Sequence, residues 1–240
     1  MPETSWSQLA SELTSTLHLA APPLAITFSD APPEGVAPFS EPMPGALPDG
    51  RTGRVPAGCV FWMKATEGTF STVAEDHGNC SVGSMTHGFK TLEEVAGNSD
   101  LAALLESGWV TMDVVPQIPV VHEKPGAVTY GPLAETPVDP DVVFLRVTGR
   151  QLMVLSDAIP GLRIEGKPQC HIVAIAKEEG VPAASVGCAL SRVRTGMPPT
   201  EMTCALPASQ LPEILESIKA HSDADNTVAH YAAEDARRFA

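Results

Sequence analysis

The sequence has no long apolar run and little positive charge. Nowhere do the roughly 18 apolar residues needed to cross a bilayer stand together, and the first residues lack the basic and apolar regions of a signal peptide. Only 15 Lys and Arg residues face 29 Asp and Glu residues, which gives a formal net charge of −14. Such a chain repels phosphate backbones and anionic lipids. We therefore expect a cytoplasmic protein with neither nucleic acid nor membrane among its partners.

Motifs that identify common enzyme classes are absent as well. The sequence contains no phosphate-binding loop, no dinucleotide-binding fingerprint and no nucleophile motif. These absences leave the reaction open, and with it the question of whether the protein is an enzyme.

Cysteine is scarce, but its placement is informative. The chain has five cysteines, and an odd number in a reducing compartment argues against a disulfide framework. Four of them stand among small residues, in Gly58-Cys59, Asn79-Cys80-Ser81, Gln169-Cys170-His171 and Gly187-Cys188-Ala189. Because thiolates are soft ligands for zinc, copper(I) and iron–sulfur clusters, a metal or cluster site is the leading hypothesis.

The cysteine spacing favours a cluster over structural zinc. Zinc ribbons and ferredoxin loops use close ligand pairs, whereas Cys59 and Cys80 lie 21 positions apart and Cys170 and Cys188 lie 18 apart. A chain of 240 residues can bury a large enough core to fold without a structural metal ion. We therefore predict a 4Fe–4S cluster, with zinc, buried inert thiols and thiol redox or sulfur-transfer chemistry as alternatives. If only three cysteines bind, we expect Cys59, Cys80 and Cys188.

Other polar residues near these cysteines are candidates for supporting roles. His77 precedes Cys80 and His171 follows Cys170, so both are predicted to donate hydrogen bonds near the ligands or to bind directly, unless they are simply solvated. Arg192 and Arg194 are rare cations in an acidic chain, and we assign Arg192 to an anionic substrate, with a surface ion pair as the alternative.

Hydrophobic periodicity predicts an α/β fold of α+β mixed type, with a mixed sheet and flanking helices, as one domain or two closely packed lobes. Helices are expected near 5–20, 60–65, 91–108 (broken at Gly97-Asn98), 149–159, 172–179 and 207–218, with a separate polar helix over 226–238 that packs outside or on another subunit. Strands are expected at 24–28, 68–73, 127–130, 141–147 and 183–190, the last carrying Cys188, with an edge-like strand at most over 110–121 and an irregular loop over 29–58.

The order of several short motifs resembles the DUF169 family of uncharacterised bacterial and archaeal proteins. The motifs are Leu24-Ala25-Ile26, Tyr130-Gly131-Pro132-Leu133, Pro140-Asp141-Val142-Val143-Phe144-Leu145, Gln151-Leu152-Met153, Gly187-Cys188-Ala189-Leu190-Ser191-Arg192, Glu201 and the helix after Pro207. The resemblance implies one DUF169-like domain over residues 1–240, with a helical tail at 221–240. It also implies that Cys59, Cys80, Cys170 and Cys188 are the family cysteines and that Cys204 is an ordinary strand residue.

Together these observations predict an iron–sulfur protein that acts as a small-molecule enzyme or a redox protein, with a small-molecule substrate and an electron donor as partners. The alternative is a non-catalytic ligand-binding or regulatory protein in which the cysteines are structural or bind zinc.

Overall fold

The computed structural model describes residues 5–40, 55 and 57–239, which form an α/β fold. The strands are β1 (Leu24–Ser29), β2 (Phe70–Thr72), β3 (Ala127–Pro132), β4 (Val142–Val147), β5 (Arg163–Glu165), β6 (Ala183–Ser185) and β7 (Met202–Pro207). Within the described ranges they form a seven-stranded mixed sheet in the order β2-β3-β1-β4-β7-β6-β5. Neighbouring strands are antiparallel, except for the parallel pair β5 and β6 at one edge.

The helices connect these strands and cover both faces of the sheet. They are α1 (Trp6–Leu17), α2 (Phe61–Lys64), α3 (Ser81–Thr86), α4 (Leu92–Val95), α5 (Ser99–Glu106), α6 (Gly149–Ala158), α7 (His171–Ala174), α8 (Ala189–Thr195) and α9 (Leu211–Ala236). A π-helical turn, Ile175–Glu179, extends α7 and ends at Gly180, whose φ of 64° suits glycine. No helix in the described part of the chain has the length and apolarity to cross a bilayer.

Alternate residues of the central strand β4 face two different hydrophobic cores. Val143 and Leu145 pack with α1, α6 and α9 on one face of the sheet. Val142 and Phe144 face the other side, where the Trp62 ring of α2 stacks on Phe144 at 4.5 Å. Period-two alternation in a strand buried on both faces produces this division.

A third, smaller hydrophobic cluster lies beyond the second core. Its buried members are Val82, Met85, Leu104, Val110, Val115 and Ile118. Cys59 packs against the second core, Cys80 against the third cluster, and Cys170 against both. Three of the predicted ligands therefore lie where these two apolar units meet.

The structure confirms most of the predicted elements. Helix α1 begins after Ser5, whose hydroxyl accepts a hydrogen bond from the Gln8 N–H at 3.2 Å. Residues 91–108 form two helices, α4 and α5, separated at the predicted break. Strands β1, β2, β3 and β4 and helices α2 and α6 also lie where the pattern places them.

Three sequence predictions are wrong. Residues 110–121 form turns and a 3₁₀ segment, Val115–Gln117, rather than an edge strand. The strand predicted over 183–190 ends at Ser185, because Gly187 adopts a φ of 125° that an extended strand does not use. The two predicted C-terminal helices are one continuous helix, α9, which lacks a glycine or proline after Pro212. Residues 41–54 and 56 of the predicted loop over 29–58 lie outside the described residues.

Candidate cysteine site

Each of the four predicted cysteines stands at the start of a helical segment. Cys59 lies in the 3₁₀ turn Gly58–Val60 that leads into α2. Cys80, Cys170 and Cys188 occupy the residue before α3, α7 and α8, respectively. Backbone N–H groups in a first helical turn have no partner within the helix, so these positions offer donors to a sulfur. The Gly83 N–H takes up this contact with the Cys80 Sγ at 3.4 Å.

The four thiols border one cavity, although they come from segments far apart in the chain. The enclosed part of the cavity has a volume of about 30 Å³, and the cavity opens to solvent at its mouth. Three of the thiols are half-buried and Cys188 is buried. Further lining residues are Ala57, Gly58, Val82, Gly83, His87, Trp109, Pro168, Gln169, Leu190, Ser191 and Arg194. Small and apolar side chains thus surround the sulfur atoms.

Each thiol is electrostatically coupled to the other three. Burial raises the pKa of Cys59 to about 12, and the neighbouring charges of Cys80 and Cys188 add to that increase. Burial and the other three thiols raise the pKa of Cys170 well above its ordinary value. The pKa of Cys80 also increases through burial, although the Gly83 N–H and the Arg194 guanidinium oppose the change. Without a cation between them, the thiols of Cys59, Cys80 and Cys170 are therefore held in the neutral form.

A buried carboxylate fixes the turn that carries Cys80. Asp100 accepts hydrogen bonds from the Ser81 backbone N–H at 2.9 Å and from the Ser81 hydroxyl at 2.6 Å. The Cys80 N–H donates to the His77 carbonyl at 3.3 Å. The side chain of Asn98 donates to the Ser81 hydroxyl at 2.8 Å and completes the network. These bonds set the direction in which Cys80 enters the cavity.

The turn that carries Cys188 depends on a glycine. Gly187 has a φ of 125°, and a Cβ placed there would lie 2.0 Å from the Arg192 Nη1. The Arg192 guanidinium packs against this glycine and donates to the Glu201 carbonyl at 2.7 Å and to the Val186 carbonyl at 3.3 Å. Arg192 thus ties the start of α8 to the start of β7, and it is not among the residues that border the cavity.

Several buried polar atoms around the cavity have no hydrogen-bond partner among the described residues. They are the His87 Nε2, the Tyr130 hydroxyl, the Gln169 Oε1 and the Arg194 Nη1. His87 places its Nδ1 3.0 Å from the Gly83 carbonyl. Because a carbonyl only accepts, this bond requires a proton on Nδ1 and leaves the Nε2 as an acceptor. Buried polar atoms are rarely left unpaired, so these four atoms are available to a group bound in the cavity.

The two histidines proposed as supporting residues lie behind the cavity rather than on its wall. His77 is buried among aromatic rings, with its Nε2 3.0 Å from the Thr72 hydroxyl and its Nδ1 against Gly58. Burial keeps its pKa well below the ordinary histidine value. His171 places its Nε2 3.6 Å from Glu165, and burial lowers its pKa too. His77 therefore contacts the cysteine turns through packing, and the roles assigned to both residues remain predictions.

The fifth cysteine lies elsewhere in the fold. Cys204 is fully buried in β7, opposite Leu145 of β4, in the core formed with α1, α6 and α9. Burial alone raises the pKa of its thiol to about 12. The structure therefore brings together the four cysteines nominated from the sequence and leaves Cys204 apart from them.

Other residues of the site were not among the candidates predicted from the sequence. Tyr130 is fully buried, and its hydroxyl pKa increases through burial and through its proximity to Cys170 and Cys59. Ser191 lies close enough to Cys59 to favour the thiolate by a hydrogen bond. Asp100 and Trp109 come from a region that reads as an ordinary helix and turn. Only the fold places them beside the cysteines.

A ready-made set of ligands for one ion is not seen in the described part of the chain. No group of three or more His, Cys, Asp or Glu side chains there has the arrangement that could hold a metal ion. The cysteine site is therefore four thiols around a cavity, rather than a closed ligand shell.

Comparison with known proteins places the chain in a family. No curated protein and no solved structure matches it. The family model described as "Uncharacterised ArCR, COG2043" matches residues 12–217, a span that contains all four cavity cysteines. The chain therefore belongs to the DUF169 family.

Proposed function

We propose that Cys59, Cys80, Cys170 and Cys188 bind an iron–sulfur cluster of the 4Fe–4S type, and that the protein uses it as a small-molecule enzyme or a redox protein. The observation that carries the proposal is the convergence of four thiols, from four separate segments, on one cavity. The fifth thiol lies on the other face of the sheet, so the gathering is not explained by a general preference of cysteine for buried positions.

The donor chemistry supports a positively charged cofactor. Iron binds the thiolate rather than the thiol, and a cation between the sulfurs reverses the conditions that keep the thiols neutral. The Gly83 N–H lies 3.4 Å from the Cys80 Sγ, and Ser191 and Thr86 favour the thiolates of Cys59 and Cys170. Hydrogen bonds to sulfur tune the reduction potential of a cluster.

The size of the cofactor favours a cluster over a single ion. Zinc holds four thiolates about 2.3 Å from one centre, so their sulfurs must nearly touch. In a cluster each thiolate binds a different iron, so the sulfurs stand farther apart around a larger object. The four cysteines share a cavity without forming a single-ion ligand group, so a zinc ion finds no ready ligand shell there. A reactive thiol needs a depressed pKa, and Cys59, Cys80 and Cys170 are shifted the other way.

The setting of the site suits a small substrate or ligand. Three of the thiols are half-buried, so the cavity is reachable from solvent. The net charge of −14 disfavours nucleic acid and anionic membranes as partners. We place the protein in the cytoplasm, where reduced cysteines persist, with an electron donor as partner if the cluster changes its oxidation state.

The test is metal and sulfide analysis of protein purified without oxygen and then reconstituted with iron and sulfide. We expect a brown protein with visible absorption and about four irons and four sulfides per chain. Single Cys→Ala changes at the four cavity positions are expected to reduce the iron content. Cys204→Ala is the control, because it removes a buried thiol from the opposite face of the sheet.

Two outcomes would contradict the proposal. One is a colourless protein that takes up no iron and no sulfide under reconstitution. The other is iron uptake that Cys204→Ala reduces as much as Cys170→Ala does, because the iron would then not depend on the cavity. Stoichiometric zinc, lost from all four cavity variants, would instead support the single-ion alternative.

A further inference from the structure

Within the described residues, Arg194 is a cation without a counter-ion on the wall of the cysteine cavity. It lies in α8, is half-buried, and comes close enough to Cys80 to lower that thiol's pKa. Its Nη1 is buried and has no hydrogen-bond partner among the described residues. No other Lys or Arg, and no Asp or Glu, borders the cavity within the described residues.

This arrangement is unusual in so acidic a chain. Asp and Glu outnumber Lys and Arg by 29 to 15, and the partly buried Arg146 has a carboxylate partner, with Glu201 at 2.7 and 3.0 Å. Shielding a guanidinium N–H from water without an acceptor costs free energy. A site that keeps such a donor beside a cavity is suited to an acceptor from outside the chain.

We propose that Arg194 binds the carboxylate of a small organic monoacid, whose apolar part lies against Trp109 and Leu190 in the cysteine cavity. One formal cation matches one negative charge, and the planar guanidinium fits a carboxylate with two parallel hydrogen bonds. The rest of the wall is mostly apolar or small, which suits a short hydrocarbon chain better than a phosphate, whose sites supply several donors. The proposal rests on the proposed function, because substrate and cofactor would share the cavity.

The competing explanation is that Arg194 serves only the thiolates. It already favours the Cys80 thiolate, and a guanidinium beside a cluster would help to retain it. In that case the cation would be needed for cofactor content and not for binding acids. The two roles differ in what is lost when the charge is removed.

The probe is butyrate, which carries one carboxylate and a short apolar chain. Its binding is measured by ligand-observed NMR titration. Wild-type protein is titrated both metal-free and after reconstitution, at constant ionic strength. 1-Butanol, which has the apolar part without the charge, and inorganic phosphate, which has negative charge without a carboxylate, are titrated in parallel. They show whether binding depends on the carboxylate itself. The variants are Arg194→Gln and Arg194→Lys, with Arg150→Gln as control because Arg150 is 63% exposed and pairs with Asp225 far from the cysteines.

We expect Arg194→Gln to weaken butyrate binding about tenfold or more, and Arg194→Lys to restore part of it, with iron and sulfide content unchanged. Arg150→Gln should bind like the wild type. The proposal is overturned if butyrate binds neither wild-type form, if phosphate binds more tightly than butyrate, or if Arg194→Gln loses iron as a Cys→Ala variant does. If the chain takes up no iron, the proposed cofactor fails; Arg194-dependent butyrate binding would then still support the carboxylate site, and its absence would overturn it.

Discussion

Gly187→Ala should be unusually destabilising for a half-exposed turn, because two costs coincide at this position. The φ of 125° lies in a region that essentially only glycine uses, which costs an alanine about 1–3 kcal/mol. The new Cβ would also lie 2.0 Å from the Arg192 Nη1 and would displace the guanidinium. The loss of its bonds to two backbone carbonyls adds about 1–2 kcal/mol. We expect a total decrease of about 3 kcal/mol in the free energy of unfolding.

The assay is equilibrium urea unfolding of Gly187→Ala, Arg192→Ala and the double variant, followed by tryptophan fluorescence. If displacement of Arg192 is part of the cost, the double variant should be no less stable than Gly187→Ala alone, with a coupling of about 1–2 kcal/mol. Gly161→Ala is the control, because its φ is 82° and nothing lies within 4 Å of the added Cβ. Strictly additive costs, or a Gly187→Ala cost equal to that of Gly161→Ala, would refute the reasoning.

Further predictions concern the polar and ionisable side chains that are buried in the fold. Asp100→Asn should lower the free energy of unfolding by about 1–3 kcal/mol, measured in urea, because an amide replaces one of two acceptor oxygens that hold the Cys80 turn. Arg146→Met should cost about 3–5 kcal/mol by leaving Glu201 unpaired, and Arg146→Met with Glu201→Leu should recover much of it in the same assay. Burial lowers the pKa of His87 to about 4, so the unfolded chain binds more protons than the folded chain below about pH 6.5. His87 alone should therefore contribute a loss of about 3 kcal/mol of stability in metal-free protein between pH 6.5 and 4, a contribution that His87→Gln removes. With its pKa at about 12, Cys59 of metal-free protein should react with iodoacetamide at pH 8 at least about 100-fold more slowly than in urea, as followed by mass spectrometry.

The sequence predicted the fold best where a single periodic pattern decides the structure. Helix α1 combines a cap at Ser5 with buried residues such as Leu9 and Leu13 at helical spacing. Strand β4 is a run of β-branched and aromatic residues, and it forms the centre of the sheet. The predictions failed where contacts between residues of different elements determine the structure. Nothing local distinguishes a strand that ends at Ser185 from one that continues to Cys188, because the Arg192 side chain that packs on Gly187 belongs to the next helix.

The residues of the candidate site were likewise only partly predictable from the sequence. Its cysteines could be nominated from their neighbours and from the family resemblance, because thiols are rare in the chain. Tyr130 and Ser191 stand within the family motifs, but a motif does not indicate which of its residues lies beside the cysteines. Of the two neighbouring arginines, about half a turn of helix α8 decides which reaches the cavity: Arg194 borders it, whereas Arg192 binds backbone carbonyls. A difference of two positions around a helix is invisible to composition.

Because each cysteine opens a different helix, the order of events in the cell is constrained. A chain still being synthesised holds Cys59 and Cys80 long before Cys188 has left the ribosome, so a partial set of thiols meets iron or oxidants first. The complete set exists only after β6 and β7 have joined the sheet and α8 has formed. Insertion of the proposed cofactor would therefore require these elements to be in place, and an opening that separates the second core from the third cluster would separate the thiols.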